Sequence, residues 1–155
     1  MGNSGVFLQK TSEYLTTEAI NRFNVRVVPD NTVLLSFKLT VGRVGIADGE
    51  MATNEAIAHF KLSPKAKLSS EYIYLYLCSF DYSQLGSTSS IAEAVNSKTI
   101  RDMKLLVPGA KCIYVFTETV APLFSEIKSK QTESETLATL RDTLLPKLLS
   151  GDLAV

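Results

Sequence analysis

Residues 120–151 read VAPLFSEIKSKQTESETLATLRDTLLPKLLSG, and the spacing of their apolar side chains decides how the chain is organised. On a seven-residue grid, one stripe takes Val120, Ile127, Ser134, Arg141 and Leu148, and its companion takes Leu123, Lys130, Leu137 and Leu144. Apolar residues fill both ends of this double stripe, while Lys130, Ser134 and Arg141 interrupt it. A sustained 3.5-residue repeat is the signature of a helix packed lengthwise against another helix. At 1.5 Å per residue, a helix from about Lys111 to Gly151 would be roughly 55–60 Å long, more than a small domain is wide. It is expected to project from the rest of the chain and to need a partner.

Working back from the helix, Pro108-Gly109 marks a boundary. Cys112–Phe116 would score as a strand on its own, so the helix start falls anywhere from Lys111 to Pro122. Pro122 suits a first helical turn better than an interior kink, Pro146 should bend the last turns, and Ser150-Gly151 ends them. Upstream, residues 6–8 read as a short strand and Thr16–Phe23 as a short helix with a Thr cap and an early Glu18. Val25–Val28 alternates, Pro29-Asp30-Asn31 turns, and Thr32–Phe37 is a near-continuous apolar run that reads as a buried strand. Val41–Ala47 reads as its neighbour, Asp48-Gly49 as a hairpin turn, and Ala56–Leu62 as a further strand entered through Thr53-Asn54. Ser69 or Ser70 with Glu71 caps a helix over Tyr72–Ser79, whose aromatic circumference predicts that it is largely buried. Residues 82–90 read as a Ser/Gly-rich surface loop, Ser97 caps a short helix over Lys98–Met103, and Leu105-Leu106-Val107 reads as a final strand. The fold class is α+β: a small mixed or antiparallel β-rich domain over 1–109, then one long coiled-coil-like helix over 110–155.

The totals are those of a soluble globular protein: 155 residues, 45% hydrophobic and 21% charged, with 16 basic and 16 acidic side chains. Neither a membrane span nor a secretory leader is expected, and Val6 spoils a myristoylation pattern. Cys78 and Cys112 read as two reduced core thiols, and the single histidine, His59, as a strand residue without a nucleophile to serve. Phosphate-loop, dinucleotide-loop, HExxH and zinc-ligand patterns are missing, as are the Asn-Pro-Pro-Tyr and Phe-x-Gly-x-Gly runs of an amino-methyltransferase. No catalytic or metal-binding residue is therefore expected. Three basic stretches remain: Lys38 and Arg43 among Ser36 and Thr40; His59, Lys61, Lys65 and Lys67; and Lys98, Arg101 and Lys104. Three in one small neutral globule point towards phosphate contact.

Two stretches then converge on one family. Residues 32–47 (TVLLSFKLTVGRVGIA), followed by 52–58 (ATNEAIA), resemble the core of a target-recognition domain from the DNA-specificity subunits of type I restriction-modification enzymes. Residues 137–153 (LATLRDTLLPKLLSGDL) resemble the helix that closes such a domain, and 97–108 (SKTIRDMKLLVP) fits the strand leading into it.

The resemblance implies a non-catalytic cytoplasmic protein that reads half of a split target in double-stranded DNA. Two recognition domains are held apart by paired antiparallel helices, and the subunit docks modification (methyltransferase) subunits and, indirectly, restriction subunits. It implies no cofactor on this chain, with S-adenosylmethionine and ATP/Mg on the partner subunits. By position in the matching motif, Lys38, Thr40, Arg43, Thr53 and Asn54 are expected at DNA, joined by Ser87 and Lys98; Asn54 would suit an adenine edge. Val120, Leu123, Ile127, Leu137, Leu144 and Leu148 are expected on the seam between helices, with packing on their own globule as the competing reading. Family members usually carry a Trp-containing stretch further upstream, which this chain lacks. A half-subunit that pairs as a homodimer, or a fragment, is the expectation, with a non-binding assembly module as the alternative.

Overall fold

Thr32–Phe37 is the apolar run on which the fold is built. In a computed structural model, which describes residues 5–11, 13–38, 40–85 and 97–152, it supplies strand β3 (Val33–Ser36), buried at every position. A strand apolar on both faces must be covered on both faces, and this one is. It sits in a four-stranded sheet with β1 (Phe7–Leu8), β4 (Val44–Ala47) and β6 (Ile57–Phe60), in the order β1-β4-β3-β6. β3 is antiparallel to β4 and β6, and β1 is parallel to β4. A separate ribbon pairs β2 (Arg26–Val28) with β5 (Met51–Thr53).

Alternation along the strands sorts the side chains into two cores. Leu8, Leu34 and Ala47 face Val28 and Met51 of the ribbon. Phe7, Val33, Leu35 and Ile46 face the opposite way, onto Ile73 and Leu77 of α2 (Ser70–Ser79) and Phe124 of α4 (Ala110–Ser150). The result is three layers: ribbon, sheet and helices. The short helices α1 (Thr17–Phe23) and α3 (Ser97–Arg101) and a 3-10 turn over Tyr82–Leu85 complete the order. The Thr16 hydroxyl accepts from the Ala19 N–H, as the expected cap should, and Asn24 closes α1 in the left-handed region.

Several sequence expectations are corrected. Asp48-Gly49 does not make a hairpin. The chain turns there, with Gly49 at φ 94°, and leaves the sheet to pair β5 with β2. Met51–Thr53, too short to stand out as a strand, becomes one only because β2 lies opposite. Residues 105–107 do not form a strand: they lie against α2, whose Tyr72 and Tyr76 hydroxyls donate to the carbonyls of Leu106 (3.0 Å) and Lys104 (2.5 Å). α2 is buried only at Ser70, Ile73 and Leu77, and its tyrosines at 72, 74 and 76 are half-buried. Cys78 and Cys112 are free and exposed rather than core thiols.

α4 runs unbroken for 41 residues from Ala110, with Pro122 and Pro146 both inside it and Gly151 (φ 81°) capping it. At 1.5 Å per residue it is about 60 Å long. It does not simply project. Ile113, Phe116, Val120, Phe124, Lys128, Gln131, Glu135 and Ala138 form a less exposed face that runs over the globule. Phe124 meets Phe7 and Tyr74 edge-on at 6.3 and 5.7 Å, and Phe116 meets Tyr72 at 5.3 Å. From Thr139 to Ser150 every residue is exposed, so only the last three turns or so stand clear.

Candidate nucleic-acid interface

The antiparallel order of β4, β3 and β6 brings two connections to one end of the sheet. Residues 37–43 join β3 to β4, and residues 54–56 join β5 to β6. Backbone bonds fix both: the Ser36 N–H donates to Arg43 O (2.9 Å), Gly42 N–H to Ser36 O (3.1 Å), and Phe37 N–H to Ala56 O (3.0 Å). The Ser36 hydroxyl donates to the Thr40 carbonyl inside the loop. Gly42, at φ 88°, lies against Tyr82, and an added Cβ would stand 3.0 Å from that ring. The Tyr82 hydroxyl donates to Leu77 O (2.8 Å), which anchors the loop's support to α2. Burial, with nearby Cys78 and Tyr76, pushes that phenol up to about 12, so it remains a donor throughout the physiological range.

This end gathers Lys38, Thr40, Arg43 and Asn54, all exposed. Lys38 is paired: its Nζ lies 3.6 Å from Glu55, in the turn that joins β5 to β6. A backbone N–H, then the Lys38 charge, holds the Glu55 carboxyl below its usual range. Asn54 accepts from the Ala56 N–H (3.0 Å) through its side-chain oxygen, an Asx turn that uses one of that oxygen's two lone pairs. Thr53 turns the other way, towards the ribbon face, and its Oγ1 hydrogen-bonds His59 Nε2 at 2.6 Å. Lys98 is exposed on α3, whose Ile100 is buried in the helix-side core. Ser87 lies outside the described residues.

Sequence reasoning missed Glu55 as the partner of Lys38, and Arg26, which stands opposite Thr53 in the β2–β5 register. Only a strand assignment for Met51–Thr53 would have placed Arg26. Among the described residues no cluster of histidine, cysteine or carboxylate side chains could hold a metal, and no described helix is long and apolar enough to cross a membrane.

Of the residues expected on a helix seam, Val120 is half-buried against the protein's own core. Leu123, Ile127, Leu137, Leu144 and Leu148 are exposed, from 37% at Ile127 to 59% at Leu137. Leu140, Leu145 and Leu149 share that exposure at the free end.

Residues 3–119 match the family described as the type I restriction modification DNA specificity domain. The chain is 27% identical over 152 residues to the type I restriction enzyme HindI specificity subunit of Haemophilus influenzae, covering 96% of this chain and 33% of that one. It is 23% identical over 155 residues to the type I restriction enzyme MjaIX specificity subunit of Methanocaldococcus jannaschii, covering 94% and 34%. The chain thus spans about a third of the length of the curated relatives it matches. With three quarters of its residues inside the match, the chain belongs to the family of type I restriction-modification DNA specificity domains.

Proposed function

We propose that this chain is a DNA-reading specificity module of a type I restriction-modification system, with 1–109 as the recognition unit and 110–155 as spacer and seam. Residues 37–43 and 53–54 meet one half of a split duplex target, with Lys98 and Ser87 as further contacts. The module itself carries out no catalysis and binds no cofactor. It works in the cytoplasm by directing modification subunits, which methylate adenine with S-adenosylmethionine, and restriction subunits, which use ATP and Mg²⁺. Two copies pair antiparallel through α4, giving the assembly two reading units at a fixed separation.

The observation that carries this reading is the shared end of the sheet, where a basic hairpin loop and an Asx turn present Lys38, Thr40, Arg43 and Asn54 side by side. Lysine and arginine serve phosphates or guanine edges, and a carboxamide serves adenine. One observation favours a second reading, a pure assembly module: Glu55 already pairs with Lys38. Titrating a duplex with the full chain at 50 and 200 mM salt separates the two. If about four phosphates are contacted, affinity should fall on the order of a hundredfold. Absence of binding, even with modification subunits added, would leave assembly alone.

A further inference from the structure

The ribbon face carries a basic cluster that the reading loops do not use. Arg26 on β2 stands opposite Thr53 on β5, so their side chains share one face of the ribbon. That face also carries Val28 and Met51, which pack on the sheet beside Leu34. His59, the register partner of Leu34, therefore comes up to the ribbon at its rim and bonds Thr53. Lys61, two residues on along the same face, reaches across to the Val27 carbonyl with its Nζ at 3.5 Å. Among the described residues neither Arg26 nor Lys61 makes an ion pair, and both are exposed.

We propose that Arg26, His59 and Lys61, with the Thr53 hydroxyl, form a site for a backbone phosphate of duplex DNA, flanking the reading end and continuous with it through Thr53-Asn54. The inference rests on the DNA-binding reading above and adds a second, sequence-independent anchor to it. Two cations without an ion pair, one on β2 and one just past β6, held close to a hydroxyl and an imidazole, match the donors that a phosphodiester takes. The Thr53 hydroxyl can donate to a neutral ring nitrogen or accept from a protonated one, so it serves both states of His59.

Protonation follows from the neighbours. Partial burial, then the charges of Lys61 and Arg26, hold the His59 ring below its usual 6.5, and it is neutral at pH 7. The groups facing it are Lys61 just past the end of its own strand, Arg26 and Thr53 on the ribbon, and the apolar Leu34. An anion set between the two cations offsets their repulsion and favours the imidazolium, so phosphate binding takes up a proton. Affinity for DNA then rises as pH falls below 8, and approaches tenfold for each unit by which the ring's pKa rises once pH lies below the free ring's value.

His59 is the single histidine, so its ring resonances report this site alone. The experiment follows them by NMR in the full chain from pH 5 to 8, free and with a 20-base-pair duplex. In parallel, DNA affinity against salt is measured for wild type, Arg26→Gln and Lys61→Gln. The expected result is a ring pKa raised by about half a unit or more on the duplex. Each variant should also lose about one from the salt slope. Binding with an unmoved ring and unchanged slopes would overturn the phosphate site and leave the reading end standing. No binding by wild type would overturn both. An equal shift with inorganic phosphate at the same phosphate concentration would make this a small-anion site and overturn the assignment to duplex.

Discussion

The side-chain amide of Gln131 closes on both backbone groups of Phe7: the Phe7 N–H donates to Oε1 at 3.1 Å, and Nε2 donates to the Phe7 carbonyl at 3.1 Å. β1 is the edge of the sheet, with the carbonyls of Val6 and Leu8 bonded to β4 and the backbone N–H and carbonyl of Phe7 turned away from it. One glutamine on the long helix thus stands where another strand would, and blunts the edge. Nearby, Lys128 pairs with Asp48 (2.6 Å), Lys10 with Glu135, and Gln9 donates to Thr132 (2.7 Å) and Asp48 (3.0 Å). The direction of α4 relative to the reading end is set by these contacts.

Gln131→Leu should strip both bonds from Phe7 and leave its edge groups to a leucine. The expected loss is about 1–3 kcal/mol in a urea titration. Faster hydrogen exchange should be confined to residues 7–9 and the matching turns of α4.

Phe124 is the one buried residue of α4, lying between Phe7 and Tyr74. Phe124→Ala should cost about 3–5 kcal/mol by calorimetry or denaturant, the usual penalty for emptying a packed aromatic site. An effect below 1 kcal/mol would mean that the helix is not part of the globule's core.

Asp48 offers a pH test. Burial pushes its carboxyl up, but hydrogen bonds from Lys128 and Gln9 and the Lys128 charge outweigh it, leaving the pKa lowered from 3.8. A depressed carboxylate contributes stability above its unfolded pKa, and that stability disappears as pH falls through the folded value. The Lys128 ammonium, raised from 10.5 chiefly by its hydrogen bond to Asp48, holds up the alkaline side. Asp48→Asn should therefore be less stable than wild type by about 0.5–1 kcal/mol at pH 7, a difference that shrinks as pH falls below 3.8 and is lost once pH is below the folded value. The urea midpoints of the two proteins at each pH provide the comparison.

Leu137 and Leu144 are 59% and 43% exposed, Leu137 beside the last packed turn of α4 and Leu144 on the fully exposed stretch beyond it. Leu137→Asp and Leu144→Asp should abolish the proposed self-association in sedimentation at tens of micromolar protein, with the circular dichroism melt of the globule unchanged. Persistent dimers in both variants would place the seam elsewhere.

The sequence made the long helix, the buried β3 and the caps of α1 and α2 legible, because each carries a local signal: a repeat, an apolar run, or a serine or threonine before a first turn. It was silent on β5, whose three residues are a strand only by virtue of β2. It misjudged 105–107, where two tyrosine hydroxyls on α2, rather than a neighbouring strand, take the Lys104 and Leu106 carbonyls. Val120 and Leu123 sit on adjoining stripes of one grid, yet the first packs inward and the second faces solvent. A heptad pattern does not say which of two apolar faces the globule will claim. At the reading end, Lys38, Thr40 and Arg43 were visible as a basic run, whereas Glu55 and Arg26 entered only through strand pairing.

Selecting duplexes from a pool with a randomised centre, using the full chain with its modification subunits, tests recognition most directly. The account predicts enrichment of a split motif, two short half-sites at one fixed spacing, and loss of that enrichment in Arg43→Ala with Asn54→Ala. Recovery of the random pool unchanged, with the complex intact, would contradict it.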